Sequence, residues 1–130
     1  MRRSFMLAGF ALCAAQAAPA LAETPLAGDP AHGHQIYHQI CSLCHSDKPG
    51  VVVIGPPLFG AFMRQPGSYP GYHYSDALKA FGVGKNWDVA TLQVWEAGAR
   101  ADVPGTKMSF PGLKNPKDRD DIIAYLQTLH

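Results

Sequence analysis

The chain has 130 residues, enough for one ordinary domain and too few for a multidomain enzyme. Apolar residues make up 47%, which excludes a disordered chain, and charged residues only 16%, against a typical share of about 25%. A formal net charge of +1 excludes the basic footprint of a general nucleic-acid binder, and 13 glycines with 11 prolines exclude a long-helix bundle.

The first element is a leader. Arg2 and Arg3 precede an apolar run from Phe5 to Ala15, and Ala20-Leu21-Ala22 offers the small residues of a signal-peptidase site. The run is shorter than the about 20 residues that span a bilayer, so no stable membrane insertion is expected. Residues 1–22 are therefore expected to be a cleaved secretory signal and 23–130 the exported domain, placed in the periplasm. Leu12 before Cys13 argues against a lipid anchor at that cysteine. Loss of Arg2 and Arg3 leaves nine basic residues against ten acidic ones, a net charge of −1 with neutral histidines.

In the exported part, Asp29-Pro30 reads as an N-cap with proline at the first helical position, and Ile36, Tyr37 and Ile40 then share one face. Residues 46–72 are rich in proline and glycine and read as loop. Ser75 is expected to cap a short helix ended by Gly82. Asp88 is expected to cap another, with Leu92 and Trp95 inward and Gly98 beyond its end. The last helix has Asn115 as cap, Pro116 at its start, and Ile122, Tyr125, Leu126 and Leu129 at helical spacing. No strand alternation is visible, and Val51–Ile54 is the one β-branched run.

The motif that carries chemistry is Cys41-Ser42-Leu43-Cys44-His45. Cysteines three apart near a helix end can each form a thioether to a haem vinyl group, and the adjacent histidine then comes under the porphyrin as iron ligand. Three other readings of the pair are weaker. A thioredoxin-like dithiol needs a βαβ context that the pattern lacks. A structural zinc needs further spaced ligands, and a disulfide across two residues closes almost no loop.

A second axial ligand has several candidates: Met63, Met108, His32, His34, His38, His73 and His130. His32, His34 and His38 precede the Cys motif on its own helix and cannot easily reach the other haem face. Met63, between Phe62 and Arg64, reads more as core filler. Met108 follows Pro104-Gly105-Thr106-Lys107, a turn able to hold a thioether over the iron.

The sequence resembles class I cytochrome c, the mitochondrial type and its bacterial periplasmic relatives. The resemblance runs from Gly28 to Leu129. It rests on Gly28-Asp29 through Gly33, Cys41–His45, Gly55-Pro56 with Leu58, Pro70 to Ala77, Trp87, Pro104–Met108, and Lys117-Asp118-Arg119 through Ile123-Ala124-Tyr125-Leu126. It implies an all-α cytochrome c fold, with the terminal helices crossing and short helices and long loops wrapped around one covalent haem. It also implies thioether attachment through Cys41 and Cys44, with His45 and Met108 as axial ligands and the Pro56 carbonyl orienting the His45 ring. Arg64, Tyr72, Tyr74 and Trp87 match positions around the haem propionates, and Thr106 a hydroxyl nearby. Gly33 and Tyr37 would cross Ile122 and Tyr125, and Phe110 would lie beside the exposed haem edge.

The sequence departs from the family pattern at four places. Leu78 replaces a usual asparagine, Trp95 a tyrosine that bonds the methionine sulfur, and Ile40 a lysine before the first cysteine. Val51–Ile54 stands where many relatives carry lysines. The expected function is that of a monomeric one-electron shuttle, not an enzyme. Its redox partners would be a quinol-oxidising complex, a periplasmic dehydrogenase or a terminal oxidase, with no nucleic acid involved. The rival readings are a haem enzyme or gas sensor with an open sixth site, and a cytochrome subunit docked on a dehydrogenase.

Overall fold

The computed structural model describes residues 28–130, so the expected leader and the start of the exported chain lie outside it. Helix α1, Pro30–Gln39, begins where Asp29 accepts from the Ala31 N–H, with proline at the position whose N–H would be unpaired anyway. A 3₁₀ turn, Cys41–Leu43, follows at once. Helix α2, Asp76–Phe81, is capped by Ser75 accepting from Leu78, and ends at Gly82. Helix α3, Val89–Ala97, is capped by Asp88 accepting from Thr91, and Gly98 ends it. Helix α5, Pro116–Leu126, starts with Asn115 accepting from Lys117. Each of these four starts lies at the cap the sequence marks.

One helix carries no such mark. Helix α4, Ala99–Asp102, has glycine as N-cap and a single turn of length, too short for any periodicity to be read. Leu129 also departs from expectation: the helix stops at Leu126, yet Leu129 still packs against the core from the tail. Ile40 is corrected more sharply. Expected to share a face with Ile36 and Tyr37, it is 37% exposed while they are buried, because α1 ends at Gln39 and Ile40 leaves the helical path at φ −125°.

The terminal helices α1 and α5 cross, and the core forms around them: Ile36, Tyr37, Leu92, Leu113, Ile122, Ile123, Tyr125 and Leu126 are buried together. The crossing is close because position 33 is glycine. A Cβ there would fall inside the carbonyl group of Asp121, so only a residue without one lets the two backbones approach. Asp121, fully buried, ties the same crossing. It accepts from the Asp29 N–H at 2.7 Å, from His32 Nδ1 at 2.7 Å and from Lys117 Nζ at 2.7 Å. Burial would raise its carboxyl, but these donors outweigh burial and hold it down at about 2. A second apolar cluster joins Leu78, Trp95, Ala99 and Val103 to Met108 and Trp87. Among the described residues there is no strand, and no helix is long and apolar enough to cross a membrane.

Candidate functional site

Between the two clusters lies a cavity of about 540 Å³, within the usual range for a small-molecule site. Cys41, Cys44, His45, Pro56, Arg64, Tyr72, Tyr74, Trp87, Thr106 and Met108 all line it, so every site residue expected from the sequence reaches one space. Of the histidines and methionines weighed as ligands, His45 and Met108 are the two in its wall.

The 3₁₀ turn brings Cys41 and Cys44 to the cavity one after the other, and the His45 N–H closes onto the Cys41 carbonyl at 2.9 Å. His45 Nδ1 lies 2.7 Å from the Pro56 carbonyl oxygen. That oxygen can only accept, so Nδ1 carries the proton and Nε2 keeps its lone pair for a metal. Burial lowers the imidazole pKa, more than the bond to Pro56 raises it, which favours the neutral, ligating form. Gly55 makes the arrangement possible: any Cβ there would overlap the His45 ring.

The Cys41 thiol is pushed up to about 12, first by burial and then by the charge of Glu96. A redox dithiol needs a lowered pKa to supply thiolate, so this environment opposes the thioredoxin-like reading. The donor set as a whole fits a covalent haem: two thiols on one turn, an oriented neutral imidazole, a thioether and a cavity walled largely by apolar side chains.

Met108 is delivered by the turn after α4. Thr106 N–H donates to the Val103 carbonyl at 3.1 Å, Gly105 takes φ 92°, and the Met108 N–H donates to Thr106 Oγ1. Met63 does not line the cavity, and it is not core filler either. It is 44% exposed at φ 63°, held there because its N–H donates to the Trp87 carbonyl while the Trp87 N–H donates to the Arg64 carbonyl. That double tie fixes Arg64 and Trp87 beside each other in the wall.

The four expected propionate residues have other partners in this structure. Arg64 donates to the Gly60 carbonyl at 3.2 Å and lies over the Tyr69 ring. Tyr72 donates to the Ile54 carbonyl at 3.0 Å, Tyr74 accepts from the Tyr69 N–H, and the Trp87 indole packs on Trp95 with centroids 5.0 Å apart. Leu78 and Trp95, two of the departures, are both buried and make this side of the cavity apolar. The Val51–Ile54 run is exposed to the solvent or the cavity, from 46% at Val51 to 69% at Ile54, and Ile54 lines the cavity.

A buried ionisable residue of the wall escaped the sequence reading. Glu96, 7% exposed, lines the cavity, and burial alone pushes its carboxyl up to about 7. The signal was present: Glu96 stands four residues after Leu92 and next to Trp95, on the inward face of α3.

Comparison with known proteins gives consistent matches. The family model described as cytochrome c matches residues 30–130. Cytochrome c2 of Rhodomicrobium vannielii is 48% identical over 108 residues, covering 80% of this chain and 82% of that protein. Cytochrome c of Arabidopsis thaliana is 42% identical over 108 residues, covering 82% and 95%. Among solved structures, cytochrome cH from Methylobacterium extorquens superposes with a TM-score of 0.70 at 44% identity, covering 78% of this chain and 99% of that one.

Proposed function

This chain belongs to the cytochrome c family, and from that premise we propose that it is an exported, monomeric electron shuttle of the periplasm whose iron is held by His45 and Met108. It is a mono-haem c-type cytochrome, an electron-transfer protein and not an enzyme, with haem c attached through Cys41 and Cys44. The bound haem supplies a one-electron ferrous/ferric couple. The observation that carries the ligand assignment is that His45 and Met108, of all the candidate ligands, share the one cavity lined by both cysteines.

The chain's own residues supply position and environment. The Pro56 carbonyl orients His45, and the Thr106 hydroxyl accepts from the Met108 backbone. The buried faces of Leu78, Leu92 and Trp95 exclude water from the cavity. Arg64, Tyr72, Tyr74 and Trp87 supply polar groups in its wall for the propionates. The leader assigns residues 1–22 to export and 23–130 to the cytochrome domain.

Two measurements test this reading. The intact mass of the periplasmic form should equal residues 23–130 plus one haem; a mass that keeps residues 1–22 or lacks haem overturns it. Carbon monoxide added to the reduced protein at neutral pH should bind poorly, since a filled sixth position blocks it. Prompt, tight binding would sink the His/Met assignment and favour a haem enzyme or sensor.

The partner face is the rim of the cavity, where Ile40, Leu43 and Ile54 are exposed. Lys107, which lines the cavity, is engaged by the His73 carbonyl at 2.7 Å, and two further lysines are also engaged, Lys114 by the Pro111 carbonyl and Lys117 by Asp121. With a net charge of −1 for residues 23–130, attraction to an acidic partner is weak. A quinol-oxidising complex, a periplasmic dehydrogenase or a terminal oxidase would therefore be met mainly through apolar contact. The bimolecular electron-transfer rate with such a partner should change little with ionic strength, and Val52→Lys should slow it. A steep fall with added salt would restore charge steering as the main term.

A further inference from the structure

The structure assigns a second metal site, on the exposed face of α1, formed by His34 and His38 and suited to a divalent cation of tetragonal preference, above all Cu(II). The two side chains stand one helical turn apart, and their Nε2 atoms lie 2.9 Å from each other. Both residues are exposed, so a hydrated ion reaches them without any opening of the fold. In the metal-free protein one ring donates its Nε2 proton to the other, and a cation takes the place of that proton once the rings turn to aim both lone pairs at it.

The spacing puts both nitrogens within reach of one ion. With metal–nitrogen bonds of about 2.0–2.1 Å, two nitrogens 2.9 Å apart subtend about 90° at the ion. A tetrahedral ion would spread them to about 3.3 Å, a change within reach of the same ring rotation, so the order of imidazole affinity decides between the ions. Among the divalent first-row ions, copper binds imidazole most strongly.

The surroundings limit how far the rings turn. The His34 ring packs against Tyr125 of α5 with centroids 5.0 Å apart, and the His38 ring against Tyr37 at 5.3 Å. The Ser42 hydroxyl donates to the His38 carbonyl at 2.8 Å and steadies the end of the helix. A cation here clamps the last turns of α1, which lead directly into Cys41, and leaves its remaining positions open to solvent or to a donor from another molecule. A rival group, His32 with Asp118 and Asp121, lies close by but has the Lys117 ammonium already on Asp121.

The test is Cu(II) binding to the tag-free ferric holoprotein in a non-chelating buffer, followed by calorimetry and electron paramagnetic resonance. One tetragonal copper with two nitrogen ligands is expected, and Zn(II) should bind at least tenfold more weakly. His34→Gln or His38→Gln should each raise the copper Kd at least tenfold, whereas His32→Gln should change it less than twofold. The haem spectrum, unchanged in every variant, confirms folding. Copper bound equally well by the His34→Gln/His38→Gln protein, or lost in His32→Gln instead, overturns the assignment. So does Zn(II) binding as tight as that of Cu(II).

Discussion

Replacing Met108 by alanine should abolish the weak red absorption that ferric iron shows with a thioether ligand, lower the midpoint potential and let carbon monoxide bind the reduced protein. Axial ligands move haem potentials over about 0.8 V, so loss of the thioether is expected to cost a sizeable part of that range. The physical reason lies in the turn that carries Met108. Val103, Gly105 and Thr106 fix its backbone, and the side chain packs with Leu78, Trp95 and Val103 at the cavity wall. Met63→Leu is the matched control, because it conserves volume at an exposed residue outside that wall. It should leave the spectrum, the potential and carbon monoxide binding as they are. The opposite pattern, with Met63 sensitive and Met108 silent, would overturn the ligand assignment.

Glu96→Leu should stabilise the protein at pH 8 and remove a pH dependence that the parent chain carries. The buried carboxyl titrates at about 7, against an ordinary value of 4.5, because burial disfavours its charge. Below pH 4.5 both the folded and the unfolded chain hold this proton, and Glu96 costs nothing electrostatically. Between pH 4.5 and 7 the unfolded chain releases it while the folded chain keeps it, so stability falls as pH rises. Above pH 7 the whole penalty is present, about 3 kcal/mol for a difference of this size. Guanidinium unfolding of the holoprotein at pH 5 and pH 8 reads it directly. The difference between Glu96→Leu and the parent should be about 2–3 kcal/mol larger at pH 8 than at pH 5, where part of the penalty is already present.

The same ionisation acts on the iron. A carboxylate in the cavity wall favours the ferric form, so the midpoint potential of the parent should fall as pH rises through about 7. Glu96→Gln, which keeps the shape and removes the charge, should give a potential that is flat through this range. A parent potential independent of pH between 6 and 8 would refute the role.

Local structure and the chemistry of attachment are legible in the order of residues alone. Asp29, Ser75, Asp88 and Asn115 cap their helices because a short polar side chain accepts from a nearby N–H whatever the rest of the chain does. Cys41, Cys44 and His45 were equally legible, since the chemistry needs those residue types at that fixed spacing. Tertiary structure decided what depends on partners distant in the chain. The exposure of Ile40 follows from where α1 stops, and the left-handed backbone of Met63 from its tie to Trp87, 24 positions further along. Helix α4 is one turn long and held by its neighbours, so no periodicity announced it. Glu96 is the clearest case. Helical spacing placed it inward, but only the packing of α3 against the cavity removed the water that keeps a carboxylate charged, and that desolvation is a property of the folded surroundings.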